Sequence, residues 1–481
     1  MNNSRDLLSG AENLIVGSGP GGSVIFEKLT GMGEDTLLIE EGPDILGMTP
    51  FNIPILDRHA KFYRDGGFTP ILSNRPFPFS EGRVLGGTSE LNGGLFWPLP
   101  EILEEKWVSD LGYLACDIAD MKSHFSRFSN LLQVAPVVTK ANSDLPSKLL
   151  QDSAEKQGLA VGKSMRVVPD CQKLNQCGSG CPKSLKNSMS RTLIPRGVSQ
   201  GGRYKCQVRA LRINAYAGIA RSLQVKFGNS SIEIPFKRLF LSCGPTQTPL
   251  LLHRSKLSRN AGKIVNFHLN LKFLVKFKEI VDAKNGTIFS HQVQEYLNEG
   301  ILLMSSNFQP EYLGIILANL GKNQTQDILK NSNKYAIFTL QLNPRDSGQL
   351  RFFGDRTIPS YKFSNEGFHF LKSAISKVTN LLFAMPIDEI ILPIRDYVIN
   401  HPGKLEKILS STKSSDFHLS SVHGMSSASF HPNDKFAVTD RYGKLLNYQN
   451  VFIADSSAVP TATIESPQGT IMSFVAMSLE R

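Results

Sequence analysis

The sequence predicts an α/β fold in which a discontinuous Rossmann-like domain is joined to a second domain built on an antiparallel sheet. Two observations carry this prediction. Near the start of the chain, an apolar run at 14–16, a glycine-rich turn at 17–22 and a second apolar run at 36–39 follow the order strand, turn, helix and strand. Between 262 and 420, apolar and polar residues alternate, which is typical of antiparallel strands.

The turn at 17–22 has the glycine spacing of a dinucleotide-binding fingerprint. Gly17 permits the tight turn from strand to helix, Gly19 lets the backbone approach a pyrophosphate, and Gly22 lets the helix pack closely on the strand. Glu40 ends the second strand, where a carboxylate accepts hydrogen bonds from an adenosine ribose. We therefore predict an adenine dinucleotide without a 2′-phosphate, which means FAD or NAD and not NADP.

A second glycine-rich segment, residues 82–94, contains Gly-Arg, then Gly-Gly-Thr-Ser, then Asn-Gly-Gly. Together with the N-terminal fingerprint and residues 421–481, it resembles the glucose-methanol-choline (GMC) oxidoreductase family, flavoenzymes that oxidise alcohols. The resemblance implies that FAD is the cofactor. Members with a covalent flavin use a histidine where this chain has Leu91, so we expect FAD to be bound non-covalently. The loop contacts expected for the cofactor are Gly86, Gly87, Asn92, Gly93, Gly94 and Leu95.

Composition places the chain among ordinary globular proteins with a sizeable core, since 41% of its 481 residues are hydrophobic and 20% charged. No apolar stretch has the length of a membrane span, and residues 1–11 lack the order of a secretory signal. We therefore expect a cytoplasmic protein without a membrane span. The net charge of +11 comes from scattered basic residues without aromatic interleaving, which argues against a nucleic-acid partner. We interpret this charge as a solvated surface, and the alternative is that it helps to attract an anionic substrate or an acidic electron acceptor.

Three of the six cysteines cluster at Cys171, Cys177 and Cys181. Structural thiols, a redox disulfide and a metal site are all open for this cluster, although four ligands are usual at a metal site and no nearby histidine completes the set. We assign no residue as a metal ligand. The stretch resembles a cysteine-rich insert in part of the GMC family. The other three cysteines are expected to be lone buried thiols: Cys116, Cys206 and Cys243.

The chain divides into five predicted segments without internal repeats. The FAD-binding domain is expected at 10–100, 201–261 and 421–481, the last with the catalytic motif. A helical or irregular insert with the cysteine cluster occupies 101–200, and the substrate-binding domain occupies 262–420. In this second domain, strands at 269–277 and 335–342 with one face in water and a helix at 365–385 are predicted to form one wall of a substrate cavity.

The chemistry is expected in the last sixty or so residues. His423 falls on the catalytic histidine of the GMC family, and an imidazole suits removal of a hydroxyl proton near neutral pH. His418 and His431 are weaker candidates. The family resemblance also implies cofactor contacts elsewhere in the chain: Ala210, Asp455 and Pro467.

The second active-site position departs from the family, which has Asn or His before the proline where this chain has Ser466. Serine donates one hydrogen bond and cannot act as a strong base, so it is expected to orient the substrate. The family's Gly-Thr-Cys-Arg-Met run is also replaced, at 426–430.

Two functions from different classes follow. The first is FAD-dependent oxidation of the CH–OH group of a small hydroxylated substrate to an aldehyde or ketone, with His423 as general base and oxygen or another electron acceptor. The second is a flavin-containing lyase or isomerase of the same fold. A degenerate flavoprotein without turnover is a third alternative, because a fold does not fix a function.

Overall fold

The computed structural model describes residues 8–136, 144–306, 313, 317, 322–395 and 397–481, with only the backbone of residue 323. Among these residues, no helix combines the length and the apolar character needed to cross a bilayer.

The strands of the described residues are short except in the two main sheets. They are β1 (Ala11–Val16), β2 (Thr36–Ile39), β3 (Thr69–Ile71), β4 (Phe77–Phe79), β5 (Ala135–Pro136), β6 (Val161–Lys163), β7 (Met165–Arg166), β8 (Arg203–Lys205), β9 (Val208–Tyr216), β10 (Ile219–Phe227), β11 (Ser230–Leu241), β12 (Asn266–Phe267), β13 (Leu269–Phe277), β14 (His291–Val293), β15 (Ile301–Ser305), β16 (Tyr335–Leu342), β17 (Gln349–Phe353), β18 (Arg356–Ser360), β19 (Ile387–Ile391), β20 (Val398–Ile399), β21 (Leu419–Ser420), β22 (Gly424–Met425) and β23 (Val451–Ile453).

The helices frame these sheets. They are α1 (Pro20–Gly31), α2 (Ile55–Phe62), α3 (Glu101–Ser109), α4 (Ala115–Leu131), α5 (Leu145–Lys156), α6 (Leu193–Ser199), α7 (Gln247–Arg254), α8 (Lys322–Lys330), α9 (Asn365–Phe383), α10 (Leu405–Ser411) and α11 (Gln468–Ser478).

The nucleotide-binding sheet is parallel in the order β8, β2, β1, β11 and β23. The N-terminal half of β11 pairs with β10, and β10 pairs with β9, in an antiparallel meander. Because β1 and β2 come from the start of the chain, β8 and β11 from its middle and β23 from near its end, the domain is discontinuous. The predicted Rossmann-like architecture with an accompanying antiparallel sheet is confirmed.

The second sheet has eight strands, with β13 paired to β16 and β19 in antiparallel register. The predicted strands 269–277 and 335–342 have the observed bounds, and the predicted helix 365–385 ends at Phe383. The apolar side chains of α9, including Leu371, Ile375 and Val378, belong to the same core as this sheet.

The expectation that one face of these strands lies in water is wrong for β16, whose eight residues are all buried. One face of the sheet contributes to the core shared with α9, and Thr339 and Gln341 line a cavity. Alternation of polar and apolar residues indicates that the two faces of a strand lie in different environments. The polar face can border an internal cavity as well as bulk solvent.

The segment 101–200 contributes to the core of the nucleotide-binding domain. Trp107, Phe128 and Leu193 are fully buried there, and α4 packs against the C-terminal helix α11. The domain boundaries proposed from the sequence stay a prediction.

Candidate active site

A cavity of about 690 Å³ is lined on one side by the nucleotide-binding domain and on the other by β13, β16 and residues 417–424. It brings together most of the residues predicted from the sequence. Those that line it are Gly17, Gly19, Glu40, Gly87, Asn92, Gly93, Leu95, Ala210, His423, Asp455, Ser466 and Pro467.

The glycine turn opens helix α1 toward this cavity. Gly17 has a φ of +102°, and a Cβ there would lie 2.2 Å from the carbonyl oxygen of Ser242, so the position requires glycine. A Cβ at Gly19 would meet open space, and no side chain caps the helix. The free N–H groups of the first turn are therefore available to an anion such as a diphosphate.

The three predicted glycines that do not line the cavity shape its walls. A Cβ on Gly22 would lie 2.0 Å from the carbonyl oxygen of Gly17, which explains the close packing of α1 on β1. Gly86 and Gly94 adopt φ values of +91° and +74°, which favour glycine in the loop that crosses the cavity.

Glu40 holds the glycine turn and lines the cavity. Its carboxylate accepts hydrogen bonds from the Ser18 amide at 3.0 Å, the Ser18 hydroxyl at 2.6 Å and the Gly42 amide at 2.8 Å. Burial raises the pKa of this carboxyl above its usual value. An ionised carboxylate has about four acceptor sites, so one is left for a ribose hydroxyl.

The Asn92 amide is tied within the protein. Its Nδ2 donates to Gln468 Oε1 at 2.7 Å, and its Oδ1 accepts from the Gly94 amide at 3.0 Å. These bonds fix the loop 86–95 against the first residue of α11. Helix α11 also begins without a side-chain cap, after Pro467.

Asp455 is a structural acceptor at the same edge of the sheet. Its Oδ2 accepts from the Gly244 amide at 2.8 Å and from the Thr248 hydroxyl at 2.6 Å, while its Oδ1 accepts from both the amide and the hydroxyl of Ser457. The carboxylate is thereby fully used, and it orders the turn between β11 and α7.

Three donors around the cavity are buried and have no hydrogen-bond partner among the described residues: Arg83 Nε, Arg254 Nε and Gln468 Nε2. Unpaired buried donors are costly, and a ligand rich in acceptors removes that cost. FAD supplies such acceptors in its diphosphate, ribitol and flavin ring. The orphaned donors, the uncapped helix α1 and the open space at Gly19 therefore fit FAD.

His423 makes a contact that the sequence did not reveal. Its Nδ1 lies 3.0 Å from Nδ1 of His268, and Nε2 of His268 lies 2.7 Å from the carbonyl oxygen of Thr463. A carbonyl only accepts, so His268 Nε2 carries a proton and donates it. In the neutral pair, His268 Nδ1 then accepts from His423 Nδ1–H, and His423 Nε2 is left without a proton.

Electrostatics keep both rings neutral. Burial lowers the pKa of His268 to about 4. Burial, and next the repulsion that a protonated His268 would exert, hold the pKa of His423 well below its usual value. His423 lines the cavity, and its Nε2 has no protein partner among the described residues. The site therefore presents an unprotonated imidazole nitrogen over a wide pH range, as a general base requires.

Ser466 is buried at the cavity wall, and no described residue bonds its hydroxyl. The preceding Glu465 accepts a hydrogen bond from Gln292 Nε2 at 2.5 Å, and burial raises the pKa of its carboxyl to about 7. Ser466 is thus free to bind a substrate oxygen, beside a carboxyl that titrates near neutral pH.

The two weaker histidine candidates differ in position. His418 lines the cavity, whereas His431 is in a surface turn, where its ring contacts Phe436 and its Nδ1 accepts from the Asn433 amide.

The cysteine cluster holds no disulfide, and all six thiols are free. No group of three or more metal-binding side chains occurs among the described residues. Cys177 Sγ instead accepts from Arg166 Nη2 at 3.2 Å, and Cys181 Sγ accepts from the Leu185 amide at 3.5 Å. Cys206 is buried as expected, but the expectation is wrong for Cys116, which is exposed near the start of α4, and for Cys243, which is only partly buried.

Sequence reasoning missed His268 and Gln468. His268 stands between Phe267 and Leu269, and 155 residues separate it from His423. A single histidine in an apolar stretch carries no local signal of such a contact. Gln468 follows the Ser-Pro pair and could have been noticed as the first residue of the final helix.

The N-terminal sequence profile of the GMC oxidoreductase family matches residues 59–272, and the C-terminal profile matches residues 353–474. An uncharacterized GMC-type oxidoreductase of Sinorhizobium fredii is 25% identical over 475 residues, which cover 96% of this chain and 93% of that relative. A long-chain-alcohol oxidase of Arabidopsis thaliana is 24% identical over 511 residues, covering 96% of this chain and 67% of that relative.

Solved structures with the same fold include formate oxidase from Aspergillus oryzae, with a TM-score of 0.74 and 12% identity over 98% of both chains. Pyridoxine 4-oxidase from Mesorbium loti has a TM-score of 0.73 and 14% identity, and the match covers 98% of this chain and 99% of that one. The two family profiles together cover more than half of the sequence and include the cavity loop, His423 and Ser466. The chain is a member of the GMC oxidoreductase family, whose members bind FAD.

Proposed function

We propose that the protein oxidises the CH–OH group of a small hydroxylated substrate to an aldehyde or ketone, with His423 as the general base. The single observation that carries the proposal is the hydrogen-bonded series from Thr463 through His268 to His423, which leaves Nε2 of His423 unprotonated at the cavity wall. The long-chain-alcohol oxidases among the relatives support a CH–OH donor.

His423 and Ser466 have separate roles in this reaction. His423 Nε2 takes the hydroxyl proton, and the hydroxyl of Ser466 donates a hydrogen bond that orients the substrate oxygen. FAD supplies a two-electron acceptor for the hydride that leaves the carbon. The C–H and O–H bonds are thereby replaced by a C=O double bond. Oxygen or another electron acceptor takes up the two electrons afterwards.

For the cofactor we propose non-covalent FAD, held at the residues predicted from the sequence. The turn at Gly17 and Gly19, with Glu40, would receive the diphosphate and the ribose, and Ala210 would contact the adenine. The loop 86–95, the Asp455 turn and Pro467 would surround the flavin. The six free thiols suit a reducing compartment, so we place the protein in the cytoplasm.

Anaerobic mixing of the FAD-loaded protein with a panel of alcohols tests the proposal. We expect loss of the flavin absorbance near 450 nm with a hydroxylated substrate and formation of one carbonyl product for each flavin reduced. A substrate that is converted while the flavin stays oxidised would instead indicate a lyase or isomerase. A His423→Ala protein that binds FAD but is not reduced serves as the control.

A further inference from the structure

Lys272 projects into the cavity from the middle of the eight-stranded sheet. It is exposed, whereas its neighbours Leu271 and Phe273 on β13 are fully buried. Its exposed surface faces the cavity, because Lys272 is one of the residues that line it. The directly opposite residue on β16 is Thr339, which in turn pairs with Met304 on β15. Lys272 therefore stands inside the space available to a substrate.

No described residue forms an ion pair or hydrogen bond with the side-chain ammonium of Lys272, whose backbone is paired with β16. Lys276, four residues further along β13, is on the same side of the strand and differs in this respect. Its ammonium lies 3.6 Å from a carboxylate oxygen of Asp327 and 3.8 Å from one of Glu389. The side chain is open to the cavity but surrounded by protein, and the resulting desolvation lowers the pKa of Lys272 below its usual value. A cation enclosed without a partner is costly, and an anion brought by a ligand removes that cost.

The acidic residues of the cavity are already engaged on its nucleotide-binding side. Glu41 pairs with Arg64 at 2.7 Å, Glu81 accepts from the Thr246 hydroxyl at 2.6 Å, and the carboxylates of Glu40 and Asp455 hold their turns. The sheet side around Lys272 offers Asn270, Thr339 and apolar side chains such as Met304, Ile337 and Ile391. These surroundings suit a ligand with an apolar body and one anionic end.

Lys272 also has a fixed relation to the proposed base. His268, which contacts His423, lies four residues before Lys272 in the same extended segment. A strand rises about 3.3 Å per residue, so the two α-carbons are at most about 13 Å apart. One small molecule can reach from His423 to Lys272.

We propose that Lys272 binds an anionic group of the substrate, so that the substrate class is an alcohol that carries a carboxylate or phosphate several bonds from its carbinol. This proposal rests on the proposed function for the position of the carbinol. The binding of the anion itself does not depend on turnover. Lys272 is a specificity-determining residue, and the net charge of +11 attracts the same class of ligand.

The binding test uses ligands that cannot be oxidised. Hexanoate, its neutral analogue hexanamide and hexyl phosphate are titrated into the FAD-loaded protein, and Kd is measured by calorimetry and by the change in flavin absorbance. We expect hexanoate or hexyl phosphate to bind about 10- to 150-fold more tightly than hexanamide, the usual worth of a hydrogen bond to a charged group. The better of the two anions identifies the group.

The variants assign that preference to one side chain. Lys272→Met is expected to abolish it, Lys272→Arg to retain it, and Lys276→Met, the matched control on the same strand, to leave it unchanged. Lys272→Met removes an unpaired cation, so we expect it to fold and to load FAD as the wild type does. Lys272→Gln is the second variant if the Met protein loads less FAD. Equal Kd values for hexanoate, hexyl phosphate and hexanamide in the wild type, or an anion preference that survives both Lys272→Met and Lys272→Gln, would overturn the proposal.

A kinetic arm separates this proposal from the proposed function. The ratio of kcat/KM for 6-hydroxyhexanoate to that for 1-hexanol should exceed one in the wild type and fall toward one in Lys272→Met, mainly through KM. If neither alcohol is oxidised while hexanoate still binds more tightly than hexanamide, the proposed oxidation is wrong and the anion site stands. If both alcohols are oxidised with equal kcat/KM and hexanoate binds no more tightly than hexanamide, the proposed oxidation stands and the anion site is wrong.

Discussion

The imidazole rings of His268 and His423 meet at their Nδ1 atoms, 3.0 Å apart, with their planes at 83° to each other. Two N–H groups cannot share this contact, so protonation of both rings would break it. The carbonyl oxygen of Thr463, three residues before Ser466, fixes the other end of the His268 ring. The pair thus connects the loop that carries Ser466 to the proposed base, and it couples the tautomer of His423 to the position of that loop.

Replacement of His423 is expected to remove catalysis and to leave the cofactor in place. We expect His423→Ala to lower kcat/KM for an active alcohol by roughly 10²- to 10⁴-fold, the usual worth of a positioned general base. The FAD content of the purified protein should be unchanged. His431→Ala, in a surface turn away from the cavity, is the matched control and should turn over normally. Wild-type rates in His423→Ala would transfer the assignment to His418, which also lines the cavity.

His268 is a positioning residue, and its replacement is expected to act through His423. His268→Leu removes the acceptor for His423 Nδ1–H, and we expect kcat/KM to fall about 10- to 100-fold, because a small misplacement of a catalytic group costs up to about 10²-fold. His268→Asn offers an amide oxygen as acceptor and should recover part of that loss. The rates are compared at equal FAD content.

The pH profile distinguishes positioning from a general structural defect. His423 works when neutral, so kcat/KM falls as the pH drops through its lowered pKa. In His268→Leu no protonated His268 opposes the protonation of His423, and the acid limb should move to higher pH. A variant that loses rate without any movement of this limb would contradict the role given to His268.

Local signals explain which features could be predicted from the sequence. The turn at Gly17 requires its glycine for backbone reasons that hold within a few residues, and the strands β13 and β16 have a regular alternation. The contact between His268 and His423 joins residues that are 155 positions apart and depends on how β12 pairs with β22. No pattern within either segment encodes it.

The environment of the polar face of β13 and β16 could not be predicted from the local sequence either. Alternation in β13 and β16 correctly separates two faces, but only the tertiary structure places Lys272, Thr339 and Gln341 at a cavity instead of at bulk solvent. The same fact makes Lys272 informative, because an unpaired lysine on an outer surface would need no explanation.

Ser466 is expected to contribute a modest part of the rate. Its hydroxyl supplies one neutral hydrogen bond, worth about 0.5 to 1.5 kcal/mol, so Ser466→Ala should lower kcat/KM about tenfold at most. Ser466→Asn restores the amide of the family pattern and is the informative contrast. A gain in rate would mean that serine is a tolerated defect, whereas a loss would mean that the cavity is built around the smaller side chain.

The flavin is expected to be released by acid. Leu91 lines the cavity and offers no nucleophile, and residues 82–94 contain no His, Cys or Tyr. Precipitation with trichloroacetic acid should therefore leave yellow, fluorescent FAD in the supernatant. A yellow pellet would indicate a covalent bond, for which His59, Tyr63, Cys243 and His418 are the lining residues to examine by peptide mapping.

Glu465 is expected to make stability depend on pH. Burial raises the pKa of this carboxyl from 4.5 to about 7, so the folded protein holds its proton more tightly than the unfolded chain does. Its stabilising contribution is full below about pH 4.5 and is lost as the pH rises through 7. The loss amounts to about 3 kcal/mol, which follows from the rise of the pKa from 4.5 to about 7.

Glu465→Gln removes this dependence, since a neutral amide still accepts from Gln292 Nε2. At pH 8 the variant should melt roughly 3 °C above the wild type, and at pH 4.5 the two should nearly coincide. The measurement is the Tm of both proteins at equal FAD loading across that range. Glu105→Gln, on the exposed side of α3, controls for the loss of one negative charge. A difference in Tm between wild type and Glu465→Gln that stays constant from pH 4.5 to 8 would mean that the pKa of Glu465 is the same in the folded and the unfolded protein. The hydrogen bond from Gln292 would then have to offset the cost of its burial.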